Sequence, residues 1–316
     1  MIFLCAFATF VYFKNDDVKT VKKKANMQTV IFKDQDETLI PVSVDIGVKD
    51  NKENNIRGII ETMKSKDFTQ LGLYPIFNKK LELNALIIES NQLTFDFTNN
   101  FKISNNQQAL DICEALSYLF CKDGISKINM KIDGKAVSSF ENTTIPLSCI
   151  TPNLGINNFE TSTFDLYQTS SVLVYNEKEI AGKTYYIPTT TRIQNTNQTT
   201  RILGDICFVN TDREYMLLSL FNSINKINNK ILLDHFENNT KVETTKKSQL
   251  NDGLLSIYLS SRILDNSENI SPTLYSRLEK SFLSLPDVSS VHIYINNELI
   301  QEDQNVSTSI DNIVQI

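Results

Sequence analysis

Apolar positions along the chain change period in a fixed order, and that order occurs twice. In the first half, Thr29–Phe32 is a short β-type run, and Leu39-Ile40-Pro41-Val42 begins a second. Proline within such a run suits an edge strand or a strand start, where no ladder donor is lost. Ile56, Ile59, Ile60 and Met63 then recur at helical spacing. Leu81–Ile88 and Leu93–Thr98 follow as a strand pair about the polar turn Glu89-Ser90-Asn91-Gln92. In the latter strand Leu93, Phe95 and Phe97 alternate with Thr94, Asp96 and Thr98, the pattern of a half-buried strand. Ala109, Ile112, Cys113, Leu116, Leu119 and Phe120 predict a second helix, and Ile125–Gly134 a closing strand that ends in Asp-Gly.

The second half repeats this order. Ser171–Tyr175 leads to Tyr186-Ile187-Pro188-Thr189, and Leu217, Leu220, Phe221, Ile224 and Ile227 predict the helix. Asn195–Glu214 is an insertion, read as a loop or an added hairpin. Lys241–Thr245 and Leu254–Leu259 are the expected strand pair about Asn251-Asp252-Gly253. Leu274, Leu278, Phe282 and Leu285 follow Ser271-Pro272, a cap residue before a proline at the first helical position. Val288–Asn297 aligns with Ile125–Gly134 through the final strand and turn. A duplicated order of this length predicts two modules rather than one large domain. The expected fold is α+β: two tandem copies, each a short mixed or antiparallel sheet with two helices packed on one face.

The amino terminus stands outside this pattern. Met1–Phe13 is apolar throughout and ends at Lys14. It falls short of the roughly 17–25 residues that span a bilayer as a helix, and it lacks a basic region ahead of it. The expectation is a membrane anchor over 1–13 whose upstream part precedes Met1, followed by a charged spacer over 14–27 with Lys14, Lys19, Lys22, Lys23 and Lys24. Charge alone leaves the orientation open. Leu4 before Cys5 argues against a lipid-attachment site, which wants a small residue there. The remaining divisions are a first module over 28–139, a linker over 140–169, a second module over 170–301 and a tail over 302–316.

Composition narrows the function. Apolar residues are 41% and charged residues 22%, which fits packed domains, and the net charge of −6 is unlike a nucleic-acid binder. Five cysteines with no Cys-x-x-Cys pair predict buried thiols rather than a disulfide framework or a zinc site. With nine glycines there is no G-x-G-x-x-G, P-loop or G-x-S-x-G motif. His235 and His292 have no partner at metal-ligand spacing. Asp96 and Asp133 are the available carboxylate pair, and neither acid recurs in the second copy, where Tyr258 and Asn296 stand. No catalytic, cofactor-binding or metal residue is therefore expected.

Leu39-Ile40-Pro41, Tyr186-Ile187-Pro188, Leu93-Thr94-Phe95-Asp96-Phe97-Thr98 and the run from Ser281 to Val288 with its continuation carry a family resemblance. Both halves resemble the GerM domain of bacterial sporulation and germination proteins, over about Gln28–Gln301. Two features depart from that family: Gly72 after the first helix has no adjacent proline, and Tyr258 replaces the aspartate of the central strand. The resemblance implies a non-catalytic protein, similar to ring-building modules, anchored at the cell membrane with its domains outside the cytoplasm. The implied partners are other envelope or sporulation-complex proteins, self-association and the membrane, with no nucleic acid. A peptidoglycan- or ligand-binding module is the competing expectation.

Overall fold

The computed structural model of the chain describes residues 26–158, 169–194, 201–203, 206–208, 245–246, 248–264, 268–270, 272–285, 288–300 and 314–315. The apolar segment 1–13, the spacer to residue 25, His235 and the helix expected around Leu217–Ile227 lie outside these residues. No helix among the described residues is long and apolar enough to cross a membrane.

The first copy opens with a hairpin, β1 (Met27–Lys33) and β2 (Leu39–Asp45), and continues into helix α1 (Lys52–Ser65). Asn51 caps α1, its side chain accepting the Asn54 amide at 2.8 Å. After the short strand β3 (Tyr74–Pro75) come β4 (Leu83–Glu89), β5 (Gln92–Phe97), helix α2 (Asn106–Phe120), β6 (Lys127–Ile132) and β7 (Lys135–Ala136). Asn105 caps α2 on the Gln108 amide, while the Gln108 side chain accepts from Ser104, so two otherwise orphaned amides are satisfied together. Strands β4 to β7 form a sheet in that order, with β5 and β6 parallel and the outer pairs antiparallel.

The second copy opens with a longer hairpin, β8 (Thr169–Ile180) and β9 (Lys183–Gln194). The insertion holds a small hairpin, β10 (Arg201–Leu203) with β11 (Ile206–Phe208). Then follow β12 (Gln249–Asn251), β13 (Leu254–Leu259), helix α3 (Pro272–Leu283), β14 (Ser290–Ile295) and β15 (Glu298–Ile300). Their sheet repeats the first, with β13 and β14 parallel. The register is equivalent too: Asp96 stands opposite Lys131, and Tyr258 opposite Tyr294. Each closing strand ends in a two-residue left-handed turn, Asp133-Gly134 and Asn296-Asn297, residue types that tolerate positive φ.

Of the strand expected over Lys241–Thr245 only Thr245 lies within the described residues, its amide donating to the Tyr258 carbonyl at 2.9 Å; at the turn itself, Gln249–Asn251 pairs with β13. Asp252 and Gly253 both have positive φ, and such a two-residue turn pairs the residues that immediately flank it.

Helices and sheets share buried cores. In the first, Ile56, Ile60 and Met63 of α1 and Ile112, Leu116 and Leu119 of α2 meet Phe32, Ile40, Leu93, Phe95 and Phe97. Residues 140–158, within the expected linker, belong to the same core through Phe140, Leu147, Cys149, Ile150, Leu154 and Ile156. In the second, Leu274, Leu278 and Phe282 of α3 pack on Leu255, Ile257, Leu259, Ile293 and Ile295. The β8–β9 hairpin serves both: Ile180 and Ile187 towards its tip join the first core, and Val174 joins the second. Val314–Gln315, at the end of the tail, forms a last strand, β16, beside β2.

Candidate interaction site

Where the two copies meet, a segment lacking periodicity is held by a dense set of hydrogen bonds. Asn157 is buried and adopts φ of 52°. Its side-chain oxygen accepts from the Leu39 amide at 2.8 Å, and its nitrogen donates to the carbonyls of Leu39 at 2.8 Å and Pro188 at 2.9 Å. One side chain thus ties a strand of the first hairpin to a strand of the second. Next to it, Thr190 mimics strand pairing with Ile156: its amide and hydroxyl donate to the Ile156 carbonyl at 2.8 and 2.7 Å, and its hydroxyl accepts from the Ile156 amide. Arg192 donates to the carbonyls of Asn153 and Leu154, and Asn153 accepts from the Ser171 amide at 2.9 Å. Gly155 lets the backbone pass, since a Cβ there would lie 2.1 Å from the Thr190 hydroxyl.

Charges complete the junction. Lys178, near the tip of the second hairpin, bonds Asp34, Asp36 and Thr38 in the loop of the first. Burial works to lower the Lys178 pKa, but these carboxylates more than offset it and hold the ammonium charged. Glu114 of α2 is buried beneath the connecting segment and accepts from the Asn158 amide at 3.3 Å. Burial pushes its pKa up to about 8, assisted by Asp111 and opposed by the backbone amides of Asn158 and Asn157 and by Arg192.

The acids and histidine singled out in the sequence lie elsewhere. Asp96 accepts from the Gly134 amide at 2.9 Å, so it braces the turn in which Asp133 sits. His292 is on the sheet face opposite the core, its ring centroid 6.3 Å from that of Tyr294. Cys113 and Cys149 are buried thiols; the hydrogen bond with Cys149 and burial hold Cys113 well above its ordinary pKa. Among the described residues, no three His, Cys, Asp or Glu side chains gather where a metal could bind.

Two other surfaces could receive partners. The open face of the second sheet carries a row across its strands: Lys246 lies over the Tyr258 ring, Tyr258 stacks on Tyr294 at 4.9 Å, and exposed Leu299 pairs with Tyr294. Equivalent positions of the first sheet are Asp96 and Lys131. In the first copy a groove of about 430 Å³ has Ile56, Ile59 and Leu119 in its lining and Lys52, Lys122 and Asp123 among its polar groups. The junction residues escaped sequence reading because an asparagine or threonine in an aperiodic stretch has no distinguishing spacing. The tyrosine pair was readable from the repeat alignment alone, as two aromatics at matched strand positions.

No family model matches the chain. It is 24% identical over 217 residues to the spore germination protein GerM of Bacillus subtilis, a match covering 66% of this chain and 54% of the relative. The matched part is therefore about half the length of that curated relative. Among solved structures, the tandem GerMN domains of the sporulation protein GerM from Bacillus subtilis match with a TM-score of 0.62 and 17% identity, over 86% of this chain and 92% of that one. Two sheets of one topology, each led by a hairpin bearing Ile-Pro and matched in tandem by that structure, give this chain the fold of tandem GerMN domains.

Proposed function

We propose that the chain is a non-catalytic assembly protein of sporulation or spore germination. In this reading the segment 1–13 anchors it in the membrane and both modules lie outside the cytoplasm, with the helices of each copy laid on one face of its sheet. The relative's name supports the biological setting. The observation that carries the mechanical reading is Asn157: the buried polar groups between the copies are spent on fixing one hairpin to the other. A fixed tandem presents its outer edges and faces at constant spacing, which suits a building unit of an envelope complex.

The full chain is expected to fractionate with membranes and to run in higher-order species with envelope proteins. It is expected to leave purified cell-wall material uncut. Wall hydrolysis by the chain, abolished by Glu114→Gln or His292→Ala, would overturn the proposal. A second reading, a wall-binding module, draws on the half-buried Tyr258–Tyr294 row, since aromatic residues are enriched at binding surfaces. Co-sedimentation with purified wall, lost on Tyr258→Ala and Tyr294→Ala, would favour it.

A further inference from the structure

The outer edge of β2 is closed at successive points by different devices. At Leu39 both backbone groups bond the Asn157 side chain, so they point away from β1. Strand alternation then turns the backbone of Pro41 and Ser43 outward as well. Pro41 has no donor to offer. At Val42 and Ser43 the edge is taken by Val314 and Gln315, which pair with them in parallel register. A strand edge with unpaired groups is a template for another strand, and this one is filled by the far end of the same chain.

We propose that this edge is a strand-accepting site and that, in an assembly, its occupant is the C-terminal segment of a second copy of this chain. The inference rests on the assembly reading above. Any segment whose register fits the edge within one chain fits it equally between chains, so identity of sequence specifies the partner. The pairing covers two residue positions, and each backbone hydrogen bond contributes only about 1 kcal/mol net, so the strand is easily released. Residues 301–313, between the end of β15 and the start of β16, reach on the order of 40 Å when extended, enough to cross to a neighbour. Exchange of an identical terminal element is a low-cost route to self-association.

The test uses full-length chains carrying Ser43→Cys or Gln315→Cys, mixed in equal amounts and mildly oxidised. A covalent dimer whose disulfide maps by mass spectrometry to the two introduced thiols is expected. Removing residues 302–316 is expected to shift the native chain from dimer or larger to monomer in light scattering. The proposal falls if the mixed chains do not crosslink while the doubly substituted chain closes internally, which would confine the tail to its own molecule. It falls equally if the chain stays monomeric at every concentration or if truncation leaves self-association unchanged. None of these results bears on capture of other envelope proteins, so the broader assembly reading stands or falls separately.

Discussion

Glu114 shows what a junction of this kind demands of a single side chain. Its carboxyl is buried, and burial lifts its pKa from 4.5 to about 8. In the folded chain it holds a proton that the unfolded chain releases above the ordinary glutamate range. Stability from this group is thus fully present below about pH 4.5 and declines as pH rises towards 8, by an amount on the order of a few kcal/mol. Glu114→Gln keeps a neutral side chain of the same shape. It is expected to flatten that slope and to raise the unfolding midpoint near pH 8, measured by urea unfolding across the pH series. Gly155 gives a second prediction. It combines φ of 75° with ψ of −151°, a region open essentially to glycine alone, and faces the Thr190 hydroxyl. Gly155→Ala is expected to cost on the order of 3 kcal/mol, read as a lowered unfolding midpoint.

Among the elements, proline placement explains how both copies carry Ile-Pro inside a paired strand. Tyr175, opposite Pro188, gives its carbonyl to Arg277 of α3 at 2.8 Å, so this pair faces outward just as Ile31 and Pro41 do. Neither proline removes a ladder bond. Pro41→Ala is therefore expected to change stability by less than about 1 kcal/mol, whereas Ile40→Pro, one residue earlier, removes a β1–β2 bond and is expected to cost about 3 kcal/mol or more. Equal losses from the two substitutions in chemical unfolding would refute this orientation. The strands and helices themselves were legible because one buried face imposes a period: Leu93, Phe95 and Phe97, or Ile56, Ile59, Ile60 and Met63. What escaped was set by partners distant in sequence. Nothing near Lys178 announces Asp34, and nothing near Asn157 announces Leu39. Strand β12 likewise went unread, because Asp252-Gly253 fixes its pairing through dihedral angles and not through hydrophobic alternation.

At the scale of the whole molecule, the sequence repeat divides the chain more cleanly than its packing does. A cut at residue 139, where the first repeat ends, removes Phe140, Leu147, Ile150, Leu154 and Ile156 from the first core. It also removes Ile180 and Ile187, contributed by the hairpin that opens the second copy. Each fully buried side chain of this size is worth about 1.5–3 kcal/mol, and a domain's net stability is only about 5–15 kcal/mol. Losing seven such groups exceeds any ordinary reserve. A fragment of residues 26–139 is accordingly expected to lack a cooperative thermal transition and to bind a hydrophobic dye. A fragment of residues 26–194 keeps the linker core and the shared hairpin, and is expected to unfold cooperatively. Should the shorter fragment melt as sharply as the longer one, the hairpin would be an attachment to a finished domain. If only the longer one does so, the two modules form a single mechanical unit because the hairpin of one completes the interior of the other.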